Sequence, residues 1–157
     1  MMLKKVISGG QTGVDRAGLD AASAAGIPTG GYCPKGRKAE DGTIPEKYLL
    51  QELEAPEYHV RTEKNVVASD GTLILNKGCL SEGTKLTYDY TVSHRKPCFV
   101  VQLDVDDGTE PAQVAGWLRG ERIAVLNVAG PRESKCSSGV YGEALSFLAR
   151  VFALLKG

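Results

Sequence analysis

The sequence predicts a doubly wound α/β domain, three-layered and Rossmann-like, with a mainly parallel sheet between helices. Two observations predict it. Short apolar runs, each long enough for one buried strand, end in glycine-rich or polar loops. Between them lie segments with apolar residues at helical spacing. Buried strands alternating with helices imply a parallel sheet covered on both faces. With 157 residues, the chain is long enough for one domain and not for two. Residues 1–157 are therefore read as a single unit.

The elements follow in order. Leu3 to Ser8 is a buried strand that runs into glycines. Val14 to Ala25 is a helix, with Val14, Ala17, Ala21 and Ala25 on one face. Thr12 is placed to cap it, and Asp15 three residues on completes a capping-box pattern. Gly26 and Pro28 stop it. Thr29 to Tyr32 is glycine-rich and leads into a polar loop, Cys33 to Pro45. Glu46 to Leu53 reads as a short helix, Tyr58 to Thr62 as an edge strand and Asn65 to Ser69 as a helical turn. Thr72 to Asn76 is the second buried strand, Gly83 to Ser93 a helix and Pro97 to Leu103 the third strand. An acidic turn, Asp104 to Gly108, precedes a helix from Thr109 to Leu118 with Pro111 in its first turn. Arg122 to Ala129 is the fourth strand, and Ser138 to Leu155 the last helix.

Composition narrows the function. Lys and Arg total 19 and so do Asp and Glu, a balance that argues against a general nucleic-acid binder. No apolar run approaches the length of a membrane span, and the N-terminus reaches glycine too soon for a secretion signal. Cys33, Cys79, Cys98 and Cys136 contain no CxxC pair, so they are expected to be reduced thiols of a cytoplasmic protein, and no residue is assigned to a metal. Glycine numbers 19, against about 11 at average usage, and the surplus gathers in the loops expected at one edge of the sheet.

Those loops carry the candidate site, because ligands of such sheets lie beyond the carboxyl ends of the strands. In the first, Gly9, Gly10, Gln11, Thr12 and Gly13 join strand to helix, where bare backbone and helix N–H groups suit an anion. Arg16 follows, unexplained by helix physics and able to pair with Asp15 or reach an anion. The second loop offers Lys35 and Arg37 to a phosphate, and Glu40 and Asp41 to ribose or pterin N–H groups, to a metal, or to catalysis. The third places Ser81, Gly83 and Thr84 at a helix start. The fourth carries Asn127, Gly130 and Arg132. His59 and His94 fall outside all four.

The strings GGQTGVDRAGLDAA, YCPKGRKAEDG, SDGTLIL, EGTKLT and LNVAGPRESK resemble the family named "putative molybdenum carrier protein", over nearly the whole chain. That family is a circularly permuted branch of the SLOG, or lysine-decarboxylase-like, superfamily of Rossmann nucleotide-sensing domains. The resemblance implies a cytoplasmic protein that binds molybdenum cofactor (molybdopterin), a pterin with a phosphate, and hands it to molybdoenzymes, and a homo-oligomer, dimer or tetramer. It also implies two alternatives, a nucleotide N-glycosidase of the phosphoribohydrolase type and a nucleotide-sensing regulatory module. The phosphoribohydrolase motif reads PGGxGTxxE. Aligned on Gly83-Thr84, this chain has Leu80-Ser81 for the paired glycines and Thr87 for the catalytic glutamate. A hydrolase would then need its carboxylate elsewhere, with Glu40 or Asp41 the candidates. In every version the expected partner is a small phosphorylated ligand, not nucleic acid or membrane.

Overall fold

The computed structural model describes residues 3–105 and 108–156, so the central pair of the expected acidic turn, Asp106 and Asp107, lies outside the described residues. The elements are β1 (Lys5–Ile7), α1 (Val14–Ala24), β2 (Thr29–Gly30), β3 (Tyr32–Cys33), β4 (Lys38–Ala39), β5 (Gly42–Thr43), β6 (Gln51–Glu52), α2 (Tyr58–Ala68), β7 (Gly71–Asn76), α3 (Glu82–Ser93), β8 (Cys98–Gln102), α4 (Pro111–Gly120), β9 (Val125–Ala129), a 3₁₀ turn (Glu133–Lys135) and α5 (Tyr141–Leu155).

Five strands form a parallel sheet in the order β2-β1-β9-β7-β8. If β9 is counted as the first strand, this order becomes 3-2-1-4-5, the doubly wound arrangement with its first strand moved to the end of the chain. The order reverses between β9 and β7, whose registers align Thr72 with Asn127 and Leu73 with Val128.

The two faces of the sheet differ in chemistry. Side chains alternate along a strand, so Leu73, Leu75, Leu126 and Val128 join α1, α4 and α5 in one apolar core with Val14, Leu118, Leu148 and Phe152. The opposite face meets α2 and α3 through polar groups. Thr72 and Asn127 are side-chain partners at 3.2 Å, and the buried residues of α3 are Thr84, Thr87 and Thr91. Those of α2 are Arg61, Asn65 and Val66.

This polar layer corrects the reading of Tyr58 to Thr62 as a strand and of Asn65 to Ser69 as an isolated turn. Both belong to α2, whose inward stripe is largely polar and therefore shows no apolar helical period. The expected helix at Glu46 to Leu53 is also absent: a turn there leads into β6. Arg37, in left-handed backbone, donates to the carbonyls of Pro45 and Tyr48 at 2.9 and 2.8 Å and removes acceptors a helix would need. The segment 31–55 instead packs a second small core, Leu19, Cys33, Ala39, Ile44 and Tyr48, against α1. The remaining expected elements form with shifted ends. Trp117 packs edge-on to Phe99 at 5.5 Å, and all four cysteines are free thiols.

Candidate functional site

Where the strand order reverses, the loops leaving β7 and β9 diverge. A cavity of about 370 Å³ opens between them, within the range of small-ligand sites. Its lining comes from four places: the β1 loop with the first turn of α1 (Gly9, Gln11, Asp15), the first half of α2, the start of α3, and the β9 strand with the loop after it. Of the residues singled out in the sequence, Gly9, Gln11, Ser81, Gly83, Thr84, Asn127, Gly130 and Arg132 line it.

Its floor is a charged pair. Arg61, 8% exposed, reaches under the β1 loop and donates through Nη1 to the Gly9 carbonyl at 2.8 Å. A Cβ on Gly9 would lie 2.2 Å from that Nη1, so glycine is what admits the guanidinium. Asp15, also 8% exposed, sits 3.9 Å from Nη1 and accepts the Gln11 N–H at 3.2 Å. Burial pushes the Asp15 carboxyl up from 3.8 to about 6, with Arg61 and the Gln11 amide pulling the other way.

A carboxyl with a raised folded-state pKa contributes its stability below about pH 4 and loses it as pH rises through about 6. A shift of this size corresponds to about 3 kcal/mol. Asp15→Asn, neutral throughout, is expected to remove that decline. The wild-type minus variant difference in unfolding free energy should fall by about 3 kcal/mol between pH 4 and pH 7 in urea titrations. Parallel curves would show that Asp15 ionises without cost.

The start of α1 is covered by the β9 loop. The N-cap is Gly13, at φ 82°, and no side chain caps it, which corrects the assignment to Thr12. The β9 loop lies across this helix end: Val14 N–H donates to the Pro131 carbonyl at 3.3 Å, and a Cβ on Gly13 would meet that oxygen at 2.5 Å. Thr12 instead donates to Glu40 and accepts the Glu133 N–H at 3.1 Å. Asp15, expected to complete a capping box with Thr12, takes the Gln11 amide. Gly10, Thr12 and Gly13 lie outside the cavity lining.

The second loop braces this closure. Glu40 also accepts from the Ser134 hydroxyl and from its N–H at 3.2 Å, and lies 3.6 Å from Arg132 Nε. Burial raises the Glu40 carboxyl, but the Ser134 and Thr12 hydrogen bonds and the Arg132 charge outweigh it and leave the group below its ordinary value. Arg16 forms a two-pronged pair with Asp41 at 2.7 and 2.9 Å and donates to the Gly10 carbonyl. Arg37 is engaged by backbone carbonyls and Lys35 is exposed. None of Arg16, Lys35, Arg37, Glu40 and Asp41 lines the cavity, so the two carboxylates named for catalysis stand outside it.

The start of α3 is open. Ser81 caps it by accepting the Thr84 N–H, which leaves the Glu82 and Gly83 N–H groups without a hydrogen bond among the described residues. Arg132 and Lys135 line the same cavity. Thr87, at the position of the phosphoribohydrolase glutamate, also lines it and donates to the Gly83 carbonyl at 3.1 Å. Sequence reasoning missed Arg61, Asn65 and Thr87 as site residues and placed His59 outside, although His59 lines the cavity. The available signal was the run Arg61-Asn65 and Thr84-Thr87-Thr91, polar residues at helical spacing facing a sheet with Asn127 in mid-strand.

The comparisons with known proteins agree with this architecture. The family model described as "Circularly permutated YpsA SLOG family" matches residues 6–152. A solved structure described as "Putative molybdenum carrier protein" from Syntrophus aciditrophicus SB is similar at 44% identity and a TM-score of 0.87, covering 96% of this chain and 95% of that one. No curated protein matches. No helix among the described residues is long and apolar enough to cross a membrane.

Proposed function

This chain belongs to the circularly permuted YpsA SLOG family, and from that premise we propose that it binds and carries a small phosphorylated ring compound, with molybdenum cofactor the first candidate and a nucleotide the second. One observation carries the reading: a cavity at the strand-order reversal combines an open helix start with Arg61, Arg132 and Lys135. The free N–H groups of a helix start and the positive end of its dipole favour a phosphate. Arg132 and Lys135 add charge at the loop facing it. The polar floor then receives the ring.

The residues suit a pterin phosphate. The lining is rich in hydrogen-bonding groups, as a pterin edge requires, and it sets Arg132 and Lys135, with Glu82, around the start of α3. The similar protein from Syntrophus aciditrophicus is described as "Putative molybdenum carrier protein", which favours the cofactor over a nucleotide. On this reading molybdoenzymes are the recipients, and the chain works as a homo-oligomer.

Arg132→Ala is expected to weaken binding of a phosphorylated ligand at least tenfold, about 1.4 kcal/mol, as loss of one charge-assisted contact should. Calorimetry with molybdopterin and a nucleotide panel checks this. Unchanged affinity for whichever of them binds removes Arg132 from the site. Failure of all of them to bind the wild type overturns the proposal.

A further inference from the structure

The hydrogen-bonding capacity of the pair on the cavity floor is mostly unused. A guanidinium has five N–H donors, and Arg61 directs one, at 2.8 Å, to the Gly9 carbonyl. A carboxylate has about four acceptor sites, and among the described residues the Asp15 carboxylate is met by the Gln11 and Gly9 amides besides the two arginine charges, Arg61 and Arg16. At 3.9 Å the two charged groups do not saturate each other. Both line the cavity and both are more than nine-tenths buried, so water can satisfy them only from the cavity side.

A phosphate is a poor match for this floor, because the Asp15 carboxylate beside Arg61 repels it. A neutral ring whose edge carries donors next to an acceptor fits better. We propose that Asp15 and Arg61 together read the ring edge and select the 2-amino-4-oxo pattern shared by guanine and pterins. The ring N–H and the exocyclic amino group donate to the Asp15 carboxylate, and the ring carbonyl accepts from Arg61. This rests on the binding reading above and adds the class of ring. Adenine presents a single edge donor and hypoxanthine lacks the amino group, so each leaves a buried carboxylate oxygen short of a partner. A site built to hydrogen-bond a group discriminates strongly against analogues that lack it.

The test is calorimetry on the full chain with GMP, IMP, AMP, 6-hydroxymethylpterin monophosphate and ribose 5-phosphate. GMP or the pterin phosphate should bind at least about tenfold more tightly than IMP and AMP, and the better of the two identifies the source of the edge. In Asp15→Asn the preference of GMP over IMP should shrink to within about threefold, because the amide offers one acceptor and places a donor against the amino group. Equal binding of GMP, IMP, AMP and the pterin phosphate by the wild type, or a preference for AMP, overturns the edge reading. If ribose 5-phosphate still binds in that case, the phosphate site stands alone. If none of the five binds, the underlying binding reading falls with it.

Discussion

Arg61→Met is expected to lower stability by about 2–3 kcal/mol and to weaken ring-bearing ligands at least about tenfold. The substitution removes the bond to the Gly9 carbonyl and leaves that acceptor under the β1 loop with methionine beside it. It also removes the cation next to Asp15. Breaking a buried pair costs about 3–5 kcal/mol when the remaining charge cannot escape. Here it can escape. The Asp15 carboxyl is already at about 6, and loss of Arg61, the largest influence pulling it down, lets it hold a proton at neutral pH. The expected cost is therefore smaller, and the melting temperature should drop roughly 5–10 °C. Arg61→Met combined with Asp15→Asn should recover part of that drop, which a double-mutant cycle reads as coupling. A variant that melts and binds like the wild type would remove Arg61 from both roles.

Gly130→Ala is expected to cost about 2–4 kcal/mol and to abolish binding in the fraction that folds. The glycine follows β9 directly, at the crossing where the cavity opens. A Cβ there would lie 2.3 Å from the Leu75 carbonyl and 2.8 Å from Val14 Cβ. The first contact is backbone in the interior strand β7, and the second is a side chain of the main core. Neither can rotate away, so the loop carrying Pro131 and Arg132 must shift. Gly83→Ala is the matching control. Nothing lies within 4 Å of a Cβ at that position, and alanine favours a helix over glycine by up to about 1 kcal/mol. Its stability should hold or rise while a methyl group enters the cavity beside the proposed phosphate position. Thermal melts and calorimetry on the two variants separate the effects. A stable, fully binding Gly130→Ala would show that the crossing tolerates movement.

Much of the fold is legible in the residues. The runs around Val6, Leu73, Val100 and Leu126 mark four of the five sheet strands, because a strand buried on both faces in a parallel sheet is apolar throughout. Helices with an apolar stripe, α1 and α5 above all, announce themselves by spacing. The two misread segments have different causes. At Tyr58 to Ala68 the inward residues are Arg61 and Asn65, and around Glu46 to Leu53 the Pro45 and Tyr48 carbonyls are taken by Arg37, beyond the four-residue reach of a helical hydrogen bond. A pattern search assumes that buried means apolar and that hydrogen bonds are local. Each segment breaks one assumption.

The candidate site divides along the same line. The residue strings alone determined the family and pointed to the glycine loops at the carboxyl edge, since strand ends and helix starts are local events. They also marked Arg132, Ser81 and Gly83. Which helix start stays open was decided only by tertiary structure. The β9 loop lies over the start of α1 and takes the Val14 N–H, while Glu40 and Thr12 hold the loop there. The anion site expected at Gly9 to Gly13 passes, in this proposal, to α3. Tertiary structure also converted Arg61, an ordinary cation in a short polar helix, into the floor of a cavity. The physical reason is that propensity and periodicity act over a few residues. Which groups lose their water depends on strands brought together from opposite ends of the chain.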